Sequence, residues 1–170
     1  RPWVNDVAFS PDGKRLAAAG RDNRSIRLYS TDRKRRITRD LHRSSGEAWA
    51  VAFTPDGKRL VAGSDWDVIV MHVPQAKEAA VRKAAVAYSH NDGNADVRDV
   101  AVSPPGRLIA SAAVSDGYRV WDLKKSRPVA LLKERGAYTV AFSSDGRWLA
   151  TGGGKGVVKV WDVSRLTRGK

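Results

Sequence analysis

Four segments of the sequence repeat one short pattern, and this repetition constrains the fold more than any other feature. The segments read VAFSPDGKRLA, VAFTPDGKRLV, VAVSPPGRLIA and VAFSSDGRWLA, and they begin at Val7, Val51, Val100 and Val140. A pattern that recurs every 40 to 49 residues is typical of proteins assembled from stacked structural repeats. The chain is therefore predicted to form four similar units.

Each repeat predicts a meander of short antiparallel strands. The first strand alternates apolar residues and ends at a turn in which Pro presets φ, Asp accepts hydrogen bonds from nearby amides and Gly adopts positive φ. Second strands are predicted at Leu16–Gly20, Leu60–Ser64, Leu108–Ala112 and Leu149–Gly153. Third strands are predicted at Ile26–Tyr29, Val68–Val73, Tyr118–Leu123 and Val157–Val163. Fourth strands are indicated more weakly at Arg36–Leu41, Ala84–Tyr88 and Pro128–Lys133, although the alanine-rich segment before Tyr88 also has helical propensity.

These turns, together with Trp121-Asp122 and Trp161-Asp162 in two of the third strands, resemble the WD-repeat β-propeller family. The resemblance implies an all-β propeller of four-stranded antiparallel blades that spans residues 1–170. Its blades are degenerate, because none has Gly-His in register and the first two have Tyr29-Ser30 and Met71-His72 where Trp-Asp is expected. The predicted blades are about 3–41, 48–88, 97–133 and 137–163, and the last lacks its outer strand.

Four blades are fewer than the seven or so with which propellers of this family usually close, so the resemblance implies an incomplete ring. The third strand of the last blade would then be an exposed apolar edge, which proteins usually avoid. Three arrangements are compatible with the sequence. The rest of a longer propeller completes the ring, a second copy of the chain forms an eight-bladed ring with it, or four blades close on themselves.

The composition excludes several kinds of chemistry. The sequence contains no cysteine, which removes thiolate metal ligands, disulfides and cysteine nucleophiles. This absence fits a reducing compartment, and we predict a cytoplasmic location. No apolar run approaches the roughly 18 residues that a membrane-spanning helix requires, so no membrane span is predicted.

No arrangement of residues predicts catalysis or a cofactor. His42, His72 and His90 occupy unlike positions in the repeats, and most aspartates lie in turns. Asp92–Asp96 resembles the beginning of a calcium loop but lacks the later glycine and glutamate, which favours a polar turn. Thr151–Gly156 lacks the spacing of a phosphate-binding loop and is predicted to be a hairpin turn. We predict a protein without enzymatic activity, metal or cofactor.

The excess positive charge of the chain, +13, falls on one side of the predicted ring. The basic face is the side with the first-to-second and third-to-fourth turns, and it holds 17 Lys/Arg and 7 Asp/Glu, whereas the opposite, mixed face holds 8 and 10. The basic face predicts attraction of a polyanion, with nucleic acid or an acidic surface as partners, although it lacks aromatic residues for stacking on bases. Its candidate anion-binding residues are Lys14, Arg15, Arg33, Lys34, Arg35, Arg36, Lys58, Arg59, Lys124, Lys125 and Arg127.

The mixed face combines aromatic side chains with both signs of charge. Trp, Tyr and Arg dominate the energetics of protein interfaces, and the family resemblance implies that this face binds peptides or proteins. The candidate partner-binding residues are Trp3, Trp49, Asp65, Trp66, Asp67, Arg98, Asp99 and Tyr138. The first hypothesis is therefore a non-catalytic scaffold for a protein or peptide partner, and the alternative is polyanion binding through the basic face.

Overall fold

The computed structural model describes residues 3–20, 25–32, 39–43, 46–73, 86–89 and 96–166. Within these ranges the chain forms fifteen β-strands in four antiparallel sheets and one short 3₁₀ turn at Ser164–Leu166. The strands of each sheet pair in chain order, so each sheet is a simple meander. The all-β fold predicted from the repeats is confirmed.

Each sheet is one blade, and the blades are numbered in chain order. Blade 1 contains β1 (Val4–Phe9), β2 (Arg15–Gly20), β3 (Ser25–Ser30) and β4 (Arg39–Arg43). Blade 2 contains β5 (Ala48–Phe53), β6 (Arg59–Ser64), β7 (Asp67–His72) and β8 (Val86–Ser89). Blade 3 contains β9 (Val97–Val102), β10 (Leu108–Ala113), β11 (Gly117–Asp122) and β12 (Arg127–Leu132). In blade 4 the described strands are β13 (Ala137–Phe142), β14 (Trp148–Gly153) and β15 (Val158–Asp162).

The turn after each first strand is stabilised by its own side chains. Ser10 Oγ donates to Asp12 Oδ1 at 2.5 Å, and the same oxygen accepts the backbone N–H of Lys14 at 3.1 Å. Gly13 follows with φ +67°, in the left-handed region that favours glycine. The hydroxyl and amide bonds lower the pKa of Asp12, and equivalent bonds lower the pKa of Asp56 and Asp145. This local chemistry explains why three of the four turns can be recognised by their aspartate; in blade 3 Pro105 replaces it, and Ser103 Oγ accepts the backbone N–H of Leu108.

The blades pack side by side along an arc, with their first strands innermost. β1 contacts β5, β5 contacts β9, and β9 contacts β13. A separate apolar cluster fills the space between each pair of neighbouring blades. Fully buried side chains from both sides of each gap stabilise the arc through the hydrophobic effect.

Trp121 in blade 3 and Trp161 in blade 4 each donate a hydrogen bond to a hydroxyl of the neighbouring strand, and blades 1 and 2 have no hydroxyl at that position. Trp121 Nε1 donates to Ser111 Oγ, and Trp161 Nε1 donates to Thr151 Oγ1, both at 3.0 Å. The corresponding position holds Ala18 in blade 1 and Ala62 in blade 2. Blades 1 and 2 have Tyr29 and Met71 in place of the tryptophan, so the indole donor and its hydroxyl acceptor are both replaced in these blades. The degenerate blades therefore leave no buried indole N–H without an acceptor.

The arc does not close on itself. No apolar cluster of the described residues joins blade 4 to blade 1. Val7 and Phe9 are exposed on the free side of blade 1, and Val158 and Val160 are exposed on the free side of blade 4. The alternative of a four-bladed closed ring is wrong, and the chain is an incomplete β-propeller. The physical reason is that blade 1 and blade 4 lie at opposite ends of the arc, so their apolar sides do not pack against each other.

The strands agree with the repeat-based prediction. Each predicted second and third strand is observed to within one residue at either end, and fourth strands are present in blades 1 to 3. Val86–Ser89 confirms the strand predicted near Tyr88 over the alternative of a helix there, and the helical turn predicted before it lies outside the described residues. Thr151–Gly156 forms the end of β14 and the hairpin turn that follows, as predicted.

Candidate partner-binding surface

Trp49 and Arg98 form a stacked pair that crosses from blade 2 to blade 3 on the mixed face. They occupy the same repeat position, two residues before Val51 and Val100 respectively. The guanidinium carbon of Arg98 lies 3.6 Å from the centroid of the Trp49 ring, well within the range of a cation–π interaction. Both side chains are half-buried, so the stack is ordered and still accessible.

Asp65, in the β6–β7 turn, accepts a hydrogen bond from the N–H edge of the Trp49 indole. Its Oδ1 accepts the Trp49 Nε1–H at 2.6 Å, and its Oδ2 accepts the backbone N–H of Glu47 at 2.8 Å. Gly46 lies against the Asp65 carboxylate, and there is no space there for a Cβ. The carboxylate therefore connects the β6–β7 turn to the start of β5 and holds the ring of Trp49 in one orientation.

Arg98 is positioned by a second carboxylate, that of Asp96, which is not among the residues predicted from the sequence. Its Nη2 donates to Asp96 Oδ2 at 2.7 Å, across a surface where both side chains are about one-third exposed. The Nε of Arg98 is buried and has no acceptor among the described residues. The order along the surface is thus Asp65, Trp49, Arg98 and Asp96, with a carboxylate acceptor at each end and the two stacked donors between them. We name these four residues the Trp49–Arg98 cluster.

The other predicted residues of the mixed face lie beside this cluster or further along the arc. Trp66 and Asp67 are in and after the same turn as Asp65, and both are half-buried. Trp3 is exposed next to the start of β1, and Tyr138 is exposed in β13. The structure therefore places the predicted aromatics on three blades, and it brings Trp49, Asp65 and Arg98 into direct contact.

Asp99 joins two blades. Its Oδ2 accepts the backbone N–H of Val140 at 2.9 Å and the hydroxyl of Thr139 at 2.8 Å, both in the next blade. Burial raises the pKa of Asp99, and the negative charge of Asp6 adds to this effect. Asp6 has the same repeat position in blade 1 and accepts the backbone N–H of Val51 at 2.8 Å. Alignment of the repeats pairs these two aspartates, and that is the signal by which this bridge could have been found.

On the basic face the turns of neighbouring blades lie against one another. Pro11 Cδ is 3.5 Å from the position that a Cβ would take at Gly57, and Pro55 Cδ is 3.4 Å from the equivalent position at Gly106. The cationic side chains are carried on this row of turns. Lys14, Lys58, Lys124, Lys125 and Arg127 are exposed, and Arg15 and Arg59 are half-buried. The predicted residues Arg33, Lys34, Arg35 and Arg36 lie outside the described residues.

At one repeat position of the basic face, the cation has a carboxylate partner from the third strand in blades 3 and 4 but not in blades 1 and 2. Arg107 in blade 3 pairs with Asp122 at 3.2 Å, and Arg147 in blade 4 pairs with Asp162 at 3.5 Å. Lys14 and Lys58 occupy the same repeat position in blades 1 and 2, where Ser30 and His72 replace the two aspartates. The positive charge of these two lysines is therefore not matched by a carboxylate at that position.

Burial alone would raise the pKa of Asp122, but hydrogen bonds outweigh it. The backbone N–H groups of Lys125 and Lys124 and the guanidinium of Arg107 all donate to this carboxylate, and together they lower its pKa. Asp122 is thus an ionised anchor for the β11–β12 turn. It orients the backbone from which the side chains of Lys124 and Lys125 project.

The described part of the chain gathers no group of three metal-ligating side chains. Asp92–Gly93–Asn94, which resembles the beginning of a calcium loop, lies outside the described residues. None of the helical structure described is long and apolar enough to cross a membrane. The cytoplasmic location and the absence of a cofactor stay predictions.

The repeated four-stranded sheets and their rows of turns define the class of protein. It is a β-propeller repeat protein, in which stacked blades form a rigid support and the turns provide the accessible surfaces. The model of the WD domain, G-beta repeat family matches residues 1–30, 35–70, 84–122 and 127–162. The chain therefore belongs to the WD domain, G-beta repeat family, whose members generally act as protein-interaction scaffolds.

Three curated proteins illustrate the similarity. The chain is 36% identical over 83 residues to Pre-mRNA-processing factor 19 homolog 2 of Arabidopsis thaliana, covering 46% of this chain and 16% of that protein. It is 36% identical over 61 residues to Mitochondrial division protein 1 of Neurospora crassa, covering 36% and 9%. It is 32% identical over 74 residues to Target of rapamycin complex subunit wat1 of Schizosaccharomyces pombe, covering 41% and 23%. The matches thus span less than a quarter of the length of each relative.

Proposed function

We propose that the chain is a non-catalytic scaffold that binds a peptide or protein segment on the mixed face, at the Trp49–Arg98 cluster. The observation that carries this proposal is the Arg98 guanidinium stacked on the indole of Trp49 and held between Asp65 and Asp96. A partner meets an apolar ring, a cation and two carboxylates whose orientations are already set. Binding to such a preorganised surface costs little side-chain entropy.

The composition of the cluster supports recognition of a polypeptide. Its aromatic ring and guanidinium offer flat, partly apolar contact area, which is the kind of surface that dominates protein–protein binding energies. Two of the relatives are named a pre-mRNA-processing factor homolog and a target of rapamycin complex subunit, which is in keeping with a role in assemblies.

Selection of peptides on the immobilised chain tests this proposal. Phage-displayed random peptides should be enriched by the wild-type chain, and their affinity for the Trp49→Ala variant should fall at least tenfold, because truncating a hot-spot aromatic typically costs 2 kcal/mol or more. Fluorescence anisotropy with the labelled synthetic peptides measures this change.

Leu131→Ala is the matched control, because Leu131 is an exposed apolar residue of β12 outside the cluster. The affinity of the selected peptides for this variant should stay within about twofold of wild type. Peptides that bind both variants equally well would place the binding surface elsewhere, and a wild-type chain that enriches no peptide would contradict the proposal.

A second candidate function is polyanion binding on the basic face, and it is favoured by Lys14 and Lys58, which lack the third-strand aspartate that pairs with Arg107 and Arg147. Both lysines are exposed on adjacent turns, and the neighbouring turns of blades 1 and 2 are in contact. Two such cations on a row of turns have the chemistry to neutralise two phosphates of a nucleic acid, with release of counterions.

Charge reversal of these two lysines tests whether nucleic acid binds at a local site on the basic face or responds only to the net charge of the chain. Lys14→Glu/Lys58→Glu should weaken the binding of a labelled random-sequence DNA duplex and reduce the slope of log K against log salt by about 2. Lys133→Glu/Lys155→Glu makes the same change in net charge on the mixed face, at two exposed lysines. Equal losses in both double variants would show that only the overall charge matters, and would contradict a site on the basic face.

A further inference from the structure

The two free sides of the arc carry residues that are buried everywhere else in the molecule. Val7 of blade 1 is 53% exposed, whereas Val51, Val100 and Val140, which occupy the same repeat position, are at most 5% exposed. In blades 2 to 4 this valine packs against the preceding blade. In blade 1 the same side chain, together with the exposed Phe9, faces away from the arc. The free side of blade 1 is thus half of an inter-blade interface.

The free side of blade 4 is the other half. Val160 is 62% exposed and Val158 is 72% exposed. The residues equivalent to Val160, set by the pairing of second and third strands, are Leu28, Val70 and Val120, which are at most 6% exposed. In blades 1 to 3 this side chain packs against the following blade. The free side of blade 4 therefore has the apolar surface that, in blades 1 to 3, packs against the next blade.

The interior of the arc shows which residues meet when the two halves join. Leu28 and Val51 lie in one apolar cluster, Val70 and Val100 lie in the next, and Val120 and Val140 lie in the third. In each pair, the first residue is equivalent to Val160 and the second is equivalent to Val7. A fourth interface of the same kind would place Val160 of one blade 4 beside Val7 of a blade 1.

We propose that the occupant of both free sides is a second copy of this chain, with blade 4 of each copy packed on blade 1 of the other. One chain carries both complementary halves, so a two-fold pair satisfies both at once and leaves neither exposed. The pairing is head-to-tail between blades and closes after two copies, which avoids an open filament. The closed ring has eight blades, within the range of four to eight that propellers adopt.

The proposal goes beyond peptide binding, because it concerns how the ring is completed. It also predicts an unusual salt dependence. Each chain carries a formal charge of +13, so two chains repel one another at low ionic strength. Since the proposed contact is apolar, the dimer should become more stable when salt is raised from about 0.1 M to about 0.5 M, where the screening length falls to a few ångströms.

Light scattering after gel filtration measures the mass of the whole chain in solution. The wild-type chain should have about twice its 18.6 kDa mass, and the dimer should persist to lower protein concentration at higher salt. Val160→Asp and Val7→Asp should each produce a folded monomer. Leu131→Asp, which changes an exposed leucine away from both free sides, should remain dimeric. Circular dichroism verifies that each monomeric variant retains its β structure.

Cysteine pairing tests the geometry of the contact, because the chain has no cysteine of its own. An equal mixture of Val7→Cys and Val160→Cys chains should give mainly the mixed disulfide, whereas Leu131→Cys mixed with either should give little. A folded wild-type monomer would overturn the proposal and assign the free sides to other blades. A dimer that survives Val160→Asp, or an open-ended assembly, would also overturn it.

Discussion

Leu108→Ala is expected to lower the free energy of unfolding by about 2–5 kcal/mol. Leu108 is fully buried at the start of β10, in the apolar cluster that joins blade 3 to blade 4. Truncation removes apolar contacts and leaves a cavity, because the rigid backbones of two sheets on either side cannot move together to fill it. Urea unfolding, followed by the fluorescence of the six tryptophans, measures the change.

Leu131→Ala provides the comparison for this prediction. Leu131 is also a strand leucine of blade 3, but it lies in the outer strand β12 and is 43% exposed. Its truncation should change the free energy of unfolding by no more than about 0.5 kcal/mol. Similar losses at both positions would mean that the interface between blades 3 and 4 contributes little to stability.

Gly63→Ala is expected to destabilise the chain by about 1–3 kcal/mol, although alanine normally suits a strand better than glycine. Gly63 is buried in β6, and a Cβ there would lie 2.6 Å from the backbone oxygen of Val97 in blade 3. A backbone atom cannot move aside as a flexible side chain can. Blades 2 and 3 would therefore have to separate slightly along their whole contact.

Gly152→Ala is the matched control, because Gly152 occupies the same repeat position in blade 4. Its Cβ would approach only Thr139 Cγ2, at 2.9 Å, and a rotation of that exposed side chain relieves the contact but gives up the hydrogen bond from its hydroxyl to Asp99. The loss of that hydrogen bond, about 0.5–1.5 kcal/mol, offsets the roughly 0.5–1 kcal/mol by which alanine suits a strand better than glycine, so stability should change by no more than about 1 kcal/mol. Thermal and urea unfolding of both variants decide the matter, and a stabilised Gly63→Ala chain would contradict the close approach of blades 2 and 3.

The two predictions concern the same property of the molecule, which is that each sheet depends on its neighbours. A single blade buries one apolar side on each adjacent blade, and a β-sheet of three or four short strands has little stability without such packing. The free sides of blades 1 and 4 are where this requirement is not met within one chain. We therefore expect the proposed completion of the ring to stabilise both end blades.

Much of the candidate site could be selected from the sequence, but its geometry could not. The sequence predicts Trp49, Asp65 and Arg98 as members of the mixed face, and the structure joins them through a hydrogen bond and a stacked pair. The sequence does not predict Asp96, because its contact with Arg98 depends on side-chain positions. Asp99 is predicted for partner binding, and its carboxylate also accepts two hydrogen bonds from blade 4.

The sequence by itself determined the local architecture. Alternating apolar residues, a Ser or Thr that caps the aspartate of the turn, and a glycine with positive φ all act within a few residues of one another. Interactions over such short separations leave a direct trace in the sequence. For this reason the strands, their order and the number of blades could be predicted from the four repeats.

Only the tertiary structure decided which of those equivalent positions are buried. Val7 and Val51 begin almost identical segments, VAFSPDGKRL and VAFTPDGKRL, yet Val7 is exposed and Val51 is buried. The reason is that burial depends on what lies on the other side of the sheet, and no local pattern contains that information. The same applies to the stack of Arg98 on Trp49, whose partners lie 49 residues apart and meet only because two blades pack together.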